Sequence, residues 1–399
     1  MRVFRYSKYL PWVLLYFFLN TPPGLPGGLF ITSILSPLIY IWLLRRRHNW
    51  ILGTYFAILF PFFLGALYLR ANMKYFCETA LLLMTVYVSC YGAAVIVHET
   101  RQMEKMFRIA IWGNLCLALL GLVVRFTSFY TLMWQNHSAS GGHIIRYQGL
   151  SYEPAQFSLL IAPLFLFAYW HMVYRGWTPK NLRLAAAILF PAVISFSFGL
   201  LSTMTLGVIL VHLVYDKGFN RVKWVVVIAV LALTAFIVIP ADNSLKIRAI
   251  SILNGTDSSE NSRTTASYIA AVEEVKHSGG IIFGSGLGQD KVDVQYTVGD
   301  TGKIPCAVAA TFAELGLMGL VLRFGLEIFF FIRTKPYRSA YRLCLFITMF
   351  IFQFGGSYID NPVEYVTWIL AFTPSLDGLI GPSPKEESEA EPESLYLPA

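Results

Sequence analysis

Residues 45–69 read Arg-Arg-Arg-His-Asn-Trp-Ile-Leu-Gly-Thr-Tyr-Phe-Ala-Ile-Leu-Phe-Pro-Phe-Phe-Leu-Gly-Ala-Leu-Tyr-Leu. Three arginines are followed by an uncharged run long enough to cross a bilayer, since about 20 helical residues match a hydrocarbon core about 30 Å thick. The same alternation recurs along the chain. Short basic segments at 101–108, 175–183, 217–223 and 333–342 separate apolar stretches, and two long polar segments lie at about 125–153 and 241–305. Short loops rich in Lys and Arg stay on the cytoplasmic side. The two long segments are therefore expected outside, and any chemistry should be sought there.

Composition agrees with a membrane protein. Of 399 residues, 56% are hydrophobic and 14% charged, against about 25% charged in soluble domains. The net charge of +8 is dispersed through short loops. That is topology charge, and it argues against nucleic acid as a partner. No small-residue cleavage site follows the first apolar stretch, so no cleaved signal is expected. Four of the five cysteines, Cys77, Cys90, Cys116 and Cys344, fall in apolar stretches and only Cys306 approaches the outer face, so no disulfide framework is expected.

The pattern predicts an all-α, polytopic helix bundle of about 12 spans, near 9–20, 29–44, 50–69, 75–97, 107–124, 154–174, 183–199, 200–215, 222–240, 306–332, 342–357 and 362–379. Residues 183–215 would form a helix of about 50 Å if continuous, too long for one crossing. Two short helices turning near 195–202 keep Lys217, Arg221 and Lys223 inside. With that assignment, 20 of the 31 Lys and Arg lie inside and both termini are cytoplasmic. The bundle occupies 1–380. The tail, 381–399, carries five Glu against one Lys and has little to bury, so disorder is expected.

The first outer segment ends Arg146-Tyr147-Gln148-Gly149-Leu150-Ser151-Tyr152-Glu153-Pro154-Ala155. Pro is favoured at the first helical position, which puts Glu153 at the helix start. The plain reading is a headgroup anchor and a helix cap. The sharper one is a cation and a carboxylate gathered at the outer rim for glycosyl transfer from a lipid pyrophosphate. In the second segment Ile269, Val272 and Val275 share one face, predicting an amphipathic helix over about 263–277, capped by Asn261 or Ser262. Arg263 then sits in its first turn, a poor place for a cation unless an anion binds there. Gly284, Gly286 and Gly288 fit a tight return loop, or a set of N–H groups aimed at a phosphate. His137, His143 and His277 are the imidazoles of these segments. No zinc, acidic-loop or nucleotide motif is present, so neither metal nor cofactor is expected. Arg323 and Glu327, four residues apart, should pair inside the bundle. Asp360 and Glu364 flank the last span and are placed to face the outer cavity.

The Arg-x-x-Gly-Leu-x-x-Glu-Pro turn at 146–154 resembles that of bacterial polysaccharide polymerases of the O-antigen polymerase (Wzy) type, in the O-antigen ligase and polymerase superfamily. Further similar fragments follow in order: Ser195-Phe-Ser-Phe-Gly-Leu-Leu-Ser202, Asn261-Ser262-Arg263, Gly280-Ile-Ile-Phe-Gly-Ser-Gly-Leu-Gly288, and Ala313-Glu-Leu-Gly-Leu-Met-Gly-Leu320. The resemblance covers roughly 140–330. It implies a multi-pass protein of the bacterial inner membrane that transfers a glycan chain from undecaprenyl pyrophosphate to a lipid-linked repeat unit. Membrane lipid, a chain-length regulator and a flippase are the implied partners. Glu153, Arg146 and Arg263 would be catalytic, and Tyr147, Gly284, Gly286, Gly288, His277 and Glu364 would bind substrate.

Two departures bear on the reading. Ligases of this superfamily carry a His followed by a polar residue, eleven positions before a Gly-x-x-Gly. Counting back from Gly316 gives Pro305 and Cys306, and neither is an imidazole. Some relatives carry Arg where this chain has Phe198. Ligase, or polysaccharide transporter or flippase, are the alternatives. No internal repeat of the transporter kind is found.

Overall fold

The computed structural model describes residues 10–18, 30–100, 102–139, 142–195, 197–216, 244–290, 304–356 and 359–380, with 222–223, 226–227, 230 and 234. Most of the expected span 222–240, part of the second outer segment and the acidic tail fall outside these residues. The described residues are mostly helical, 78%, and among them five helices are long and apolar enough to cross a membrane: Ile51–Tyr68, Met73–Glu99, Met103–Val124, Pro154–Arg175 and Ala307–Thr334. Leu10–Phe17, Ser36–Arg45, Pro179–Ser195, Ala340–Phe352 and Pro362–Ala371 are shorter, and Phe198–Tyr215 has 18 residues.

Burial sorts the long helices. In the Pro154–Arg175 helix 78% of the apolar window is buried, against 22% in Ile51–Tyr68 and 17% in Ala307–Thr334. The first is the central post, packed on Pro179–Ser195, Phe198–Tyr215 and Ala340–Phe352. The others show Phe56, Ile58, Phe60 and Leu64, or Val321, Ile328 and Phe329, on their open faces. Backbone groups satisfied within a helix, under an apolar side-chain coat, suit lipid as solvent. Around the post, Phe107, Phe167, Trp170 and Tyr341 are almost fully buried, with Phe107 and Phe167 edge to face at 5.2 Å.

Local chemistry sets the helix ends. Asn361 accepts from Val363 N–H at 3.1 Å to start Pro362–Ala371. Arg342, expected in a cytoplasmic loop, is fully buried. Its guanidinium donates to the carbonyls of Ala371 (2.9 Å) and Thr334 (2.7 Å) and to Asp377. A cation is favoured there, because last-turn carbonyls have no partner within their own helix.

Four expectations are corrected. The 29–44 stretch is two helices, Ile31–Ile34 and Ser36–Arg45, meeting at Leu35. The fold is not all-α, because the first outer segment carries strands. Trp134–Ala139 and Gly142–Tyr147 form an antiparallel hairpin, with Trp134 opposite Tyr147 and Gln135 opposite Arg146. The amphipathic helix begins later than its sequence suggests. Ser258–Arg263 is a helix of its own, Thr264 breaks the backbone at φ −106°, ψ −96°, and the next helix is Thr265–Ser278. Finally, the span Ala307–Thr334 is interrupted at Gly316, where φ is 64° and ψ −160°.

The interruption explains the glycine run. The segment 280–286 lies against the break and fills both open helix ends. Ser285 and Gly286 N–H donate to the carbonyls of Ala313 (2.8 Å) and Glu314 (3.1 Å), and Leu317 and Met318 N–H donate to Ile281 and Ile282, each at 3.0 Å. A Cβ on Gly284 would stand 2.3 Å from the Glu314 backbone, and one on Gly316 would stand 2.4 Å from Gly284 N. Both positions also need positive φ, which glycine adopts without steric cost.

Candidate functional site

Glu153 and Arg263 line one cleft. Pro154 holds the preceding residue extended, and Glu153 has φ −148° and ψ 158°. Its carboxylate caps no N–H of the helix it opens, so it stays available in the cleft. Gln156 and Leu159, from the first turns of the same helix, continue that wall. Arg263 comes from the last residue of Ser258–Arg263. There the helix dipole favours a cation, which overturns the expectation of a badly placed one. Among the described residues Arg263 makes no ion pair or hydrogen bond. Pro305, Phe352 and Asn361 bring three further elements to the cleft.

Arg146 is not a lining residue. It is buried, and Nε donates to the Ser195 carbonyl at 3.1 Å, at the C-terminal end of Pro179–Ser195. Ser195 and Ser158 share a hydroxyl contact of 2.9 Å, and Ser158 donates to the Pro154 carbonyl at 2.9 Å. The expected second cation thus ties the hairpin to the helix carrying Glu153, through Ser195.

Tyr147 is fully buried between Trp134 and Phe157, at ring separations of 5.3 and 5.1 Å. Burial pushes its phenol above the usual value. It is a packing residue, closed off from the cleft. The Gly284–Gly288 turn has spent Ser285 and Gly286 N–H on helix carbonyls, so the return-loop reading describes it and the phosphate-cradle reading does not. His277 is exposed in the last turn of Thr265–Ser278 and lies outside the cleft lining. The His137 and His143 side chains lie outside what is described. Cys306 is fully buried, its thiol on the Phe354 carbonyl at 3.3 Å.

Glu364 turns inward. It is 1% exposed and accepts from Arg323 Nη2 at 2.9 Å. The expected Arg323–Glu327 pair is present at 3.4 Å. Gln353 completes the network, accepting from Arg323 Nε at 2.7 Å and donating to Glu327 at 3.1 Å. Phe352 therefore lines the cleft while its neighbour Gln353 serves this ion network.

Sequence reading missed Gln156 and Asn361, two amides in the cleft, and the carboxyl groups of Glu274, Asp290 and Glu314. The last three are buried around the helix break, with Ser285 donating to Glu274 and Asp290 beside Glu314. Among the described residues no group of three or more His, Cys, Asp or Glu is arranged to hold a metal ion. Neither a protein-family model nor a curated protein matches the chain.

Proposed function

We propose that the chain is a lipid-dependent glycosyltransferase, a polysaccharide polymerase of the inner membrane acting on its outer face. The reading is carried by one observation: a carboxylate and a cation from segments far apart in sequence, Glu153 and Arg263, line the same cleft without an ion pair between them. An unpaired partly buried charge is costly unless a ligand completes it. A pyrophosphate and a sugar hydroxyl together complete both.

In this scheme Arg263 holds the pyrophosphate of the undecaprenyl-linked donor through planar, charge-assisted bonds. Glu153 accepts the proton of the acceptor hydroxyl. The acceptor oxygen bonds to the anomeric carbon as the carbon–phosphate oxygen bond breaks. The electron pair leaves with undecaprenyl pyrophosphate, whose growing negative charge Arg263 stabilises. Arg146 supports the geometry by tying the hairpin to the helix end.

Pro305 lines the cleft at the position where the related ligases carry His, which favours polymerase over ligase. A broken span is a feature that transporters use to expose helix ends to ions. Here the carbonyls of Ala313 and Glu314 and the N–H groups of Leu317 and Met318 are taken by 280–286, which weighs against the transporter alternative.

The test is reconstitution of the purified chain in vesicles with an undecaprenyl-pyrophosphate-linked repeat unit. A ladder of longer glycans with release of undecaprenyl pyrophosphate is expected, and no ladder overturns the reading. Cells lacking the protein should make single repeats and no long chains. Long lipid-linked polymer left untransferred would identify a ligase instead.

A further inference from the structure

We infer that Gln156 is the group through which the cleft reads the acceptor sugar, and that Asn361 fixes which side of that amide is offered. This rests on the polymerase reading and assigns its acceptor subsite. Asn361 accepts from Val363 N–H at 3.1 Å. A backbone N–H only donates, so the atom facing it must be Oδ1, and the Asn361 amide has one permitted orientation. Its Nδ2 then faces Gln156 and donates to Oε1 at 3.2 Å. That fixes the second amide in turn. Gln156 spends its oxygen on Asn361 and keeps both Nε2 N–H groups, which meet no acceptor among the described residues.

Position gives these donors a target. Glu153 and Gln156 are three residues apart at the opening of one helix, hence on one face, and both line the cleft. The site then offers a cation, Arg263, a carboxylate, Glu153, and between these chemistries an uncharged double donor. The cation suits the phosphate and the carboxylate suits the attacking hydroxyl. The amide suits a neutral sugar oxygen near that hydroxyl, either a second hydroxyl or the carbonyl of an acetamido group. A protonated amino group at the same place would meet two N–H groups and be disfavoured. Gln156 is thus a specificity-determining residue and Asn361 a positioning residue.

Asn361→Asp separates the two roles of position 361. Aspartate still accepts from Val363 N–H, so the helix start survives. It cannot donate to Gln156, whose amide is then free to turn its oxygen into the cleft. Full-length wild type, Asn361→Asp and Gln156→Leu would be compared in vesicles with undecaprenyl-pyrophosphate-linked repeat units as donor and acceptor. Loss of one uncharged hydrogen bond should raise the acceptor KM about five- to tenfold, with kcat and thermal midpoint close to wild type. Should the aspartate variant accumulate poorly, Gln156→Leu at its half-buried position carries the test. An unchanged acceptor KM in both variants, or a fall in kcat alone, overturns the inference and leaves the polymerase standing. A wild type that makes no polymer overturns that reading, and this one with it.

Discussion

Arg323 and Arg263 are one side chain in two settings. Arg323 lies within a membrane-length helix and meets Glu364 at 2.9 Å, Glu327 at 3.4 Å and Gln353 at 2.7 Å. Arg263 stands at a helix end, in a cleft with Glu153, and no protein group completes it among the described residues. Charge is expensive away from water, so a chain that neutralises one arginine so fully and leaves another open is using them differently. The first network closes the scaffold. Under the proposed function, the second arginine is kept for the donor pyrophosphate.

The largest expected effect tests the closed network. Arg323→Leu would leave Glu327 and Glu364 buried without a counter-charge, which costs about 3–5 kcal/mol. Thermal and denaturant stability in detergent should fall sharply, and activity should fall with it. A variant of wild-type stability that no longer extends glycans would move Arg323 into the reacting site and erase the contrast.

The open pair should behave the other way, with activity lost and stability kept. Arg263→Ala should slow polymer formation on the order of a hundredfold, as removal of a group that meets developing charge does. Arg263→Lys should fall between, since it keeps charge without the planar fork. Glu153→Gln preserves shape and removes the proton acceptor. That protein should bind lipid-linked donor and fail to lengthen chains. Ordinary polymer length from well-expressed Arg263→Ala or Glu153→Gln would remove the cleft from the chemistry, whatever the scaffold does.

The difference between the two arginines was only half legible in sequence. The spacing of Arg323 and Glu327 announced their pairing, because four residues on a helix bring side chains together. Glu364 reached the same arginine by tertiary packing, which no local pattern records, and so looked free to face a cavity. Pro154 located the helix start and with it Glu153. The sequence pattern puts Arg263 at the beginning of a helix because the break at Thr264 has no marker such as Gly or Pro. The Ser195–Phe198 break follows from length and charge together, since one helix would overshoot the bilayer and would put Lys217, Arg221 and Lys223 outside. Gly316 gives no comparable signal, because an isolated glycine in a helical run is tolerated without a break. What it required was a partner segment, 280–286, and that pairing exists only in the folded chain. Gln156 and Asn361 escaped notice for the same reason.

The smallest expected effect sharpens the contrast by its absence. Tyr147 stands one residue from Arg146 and, from sequence, was as good a sugar contact as any aromatic there. In the fold its hydroxyl is buried with no hydrogen-bond partner among the described residues, so it carries a desolvation cost without a compensating bond. Tyr147→Phe removes that oxygen and keeps the ring against Trp134 and Phe157. Stability should stay level or rise by up to about 1 kcal/mol, and polymer formation should be unaltered. The pH dependence has a definite sign. Burial lifts the folded-state pKa of this phenol above its ordinary 10.0, so the folded state favours the neutral form. Wild type therefore holds this contribution below pH 10 and loses stability as pH climbs beyond it, where the unfolded chain ionises first. The phenylalanine variant should lose less over that range in parallel unfolding curves. A Tyr147→Phe protein that folds normally yet polymerises poorly would place the hydroxyl on the substrate, and the boundary between scaffold and cleft would have to be redrawn to include the hairpin.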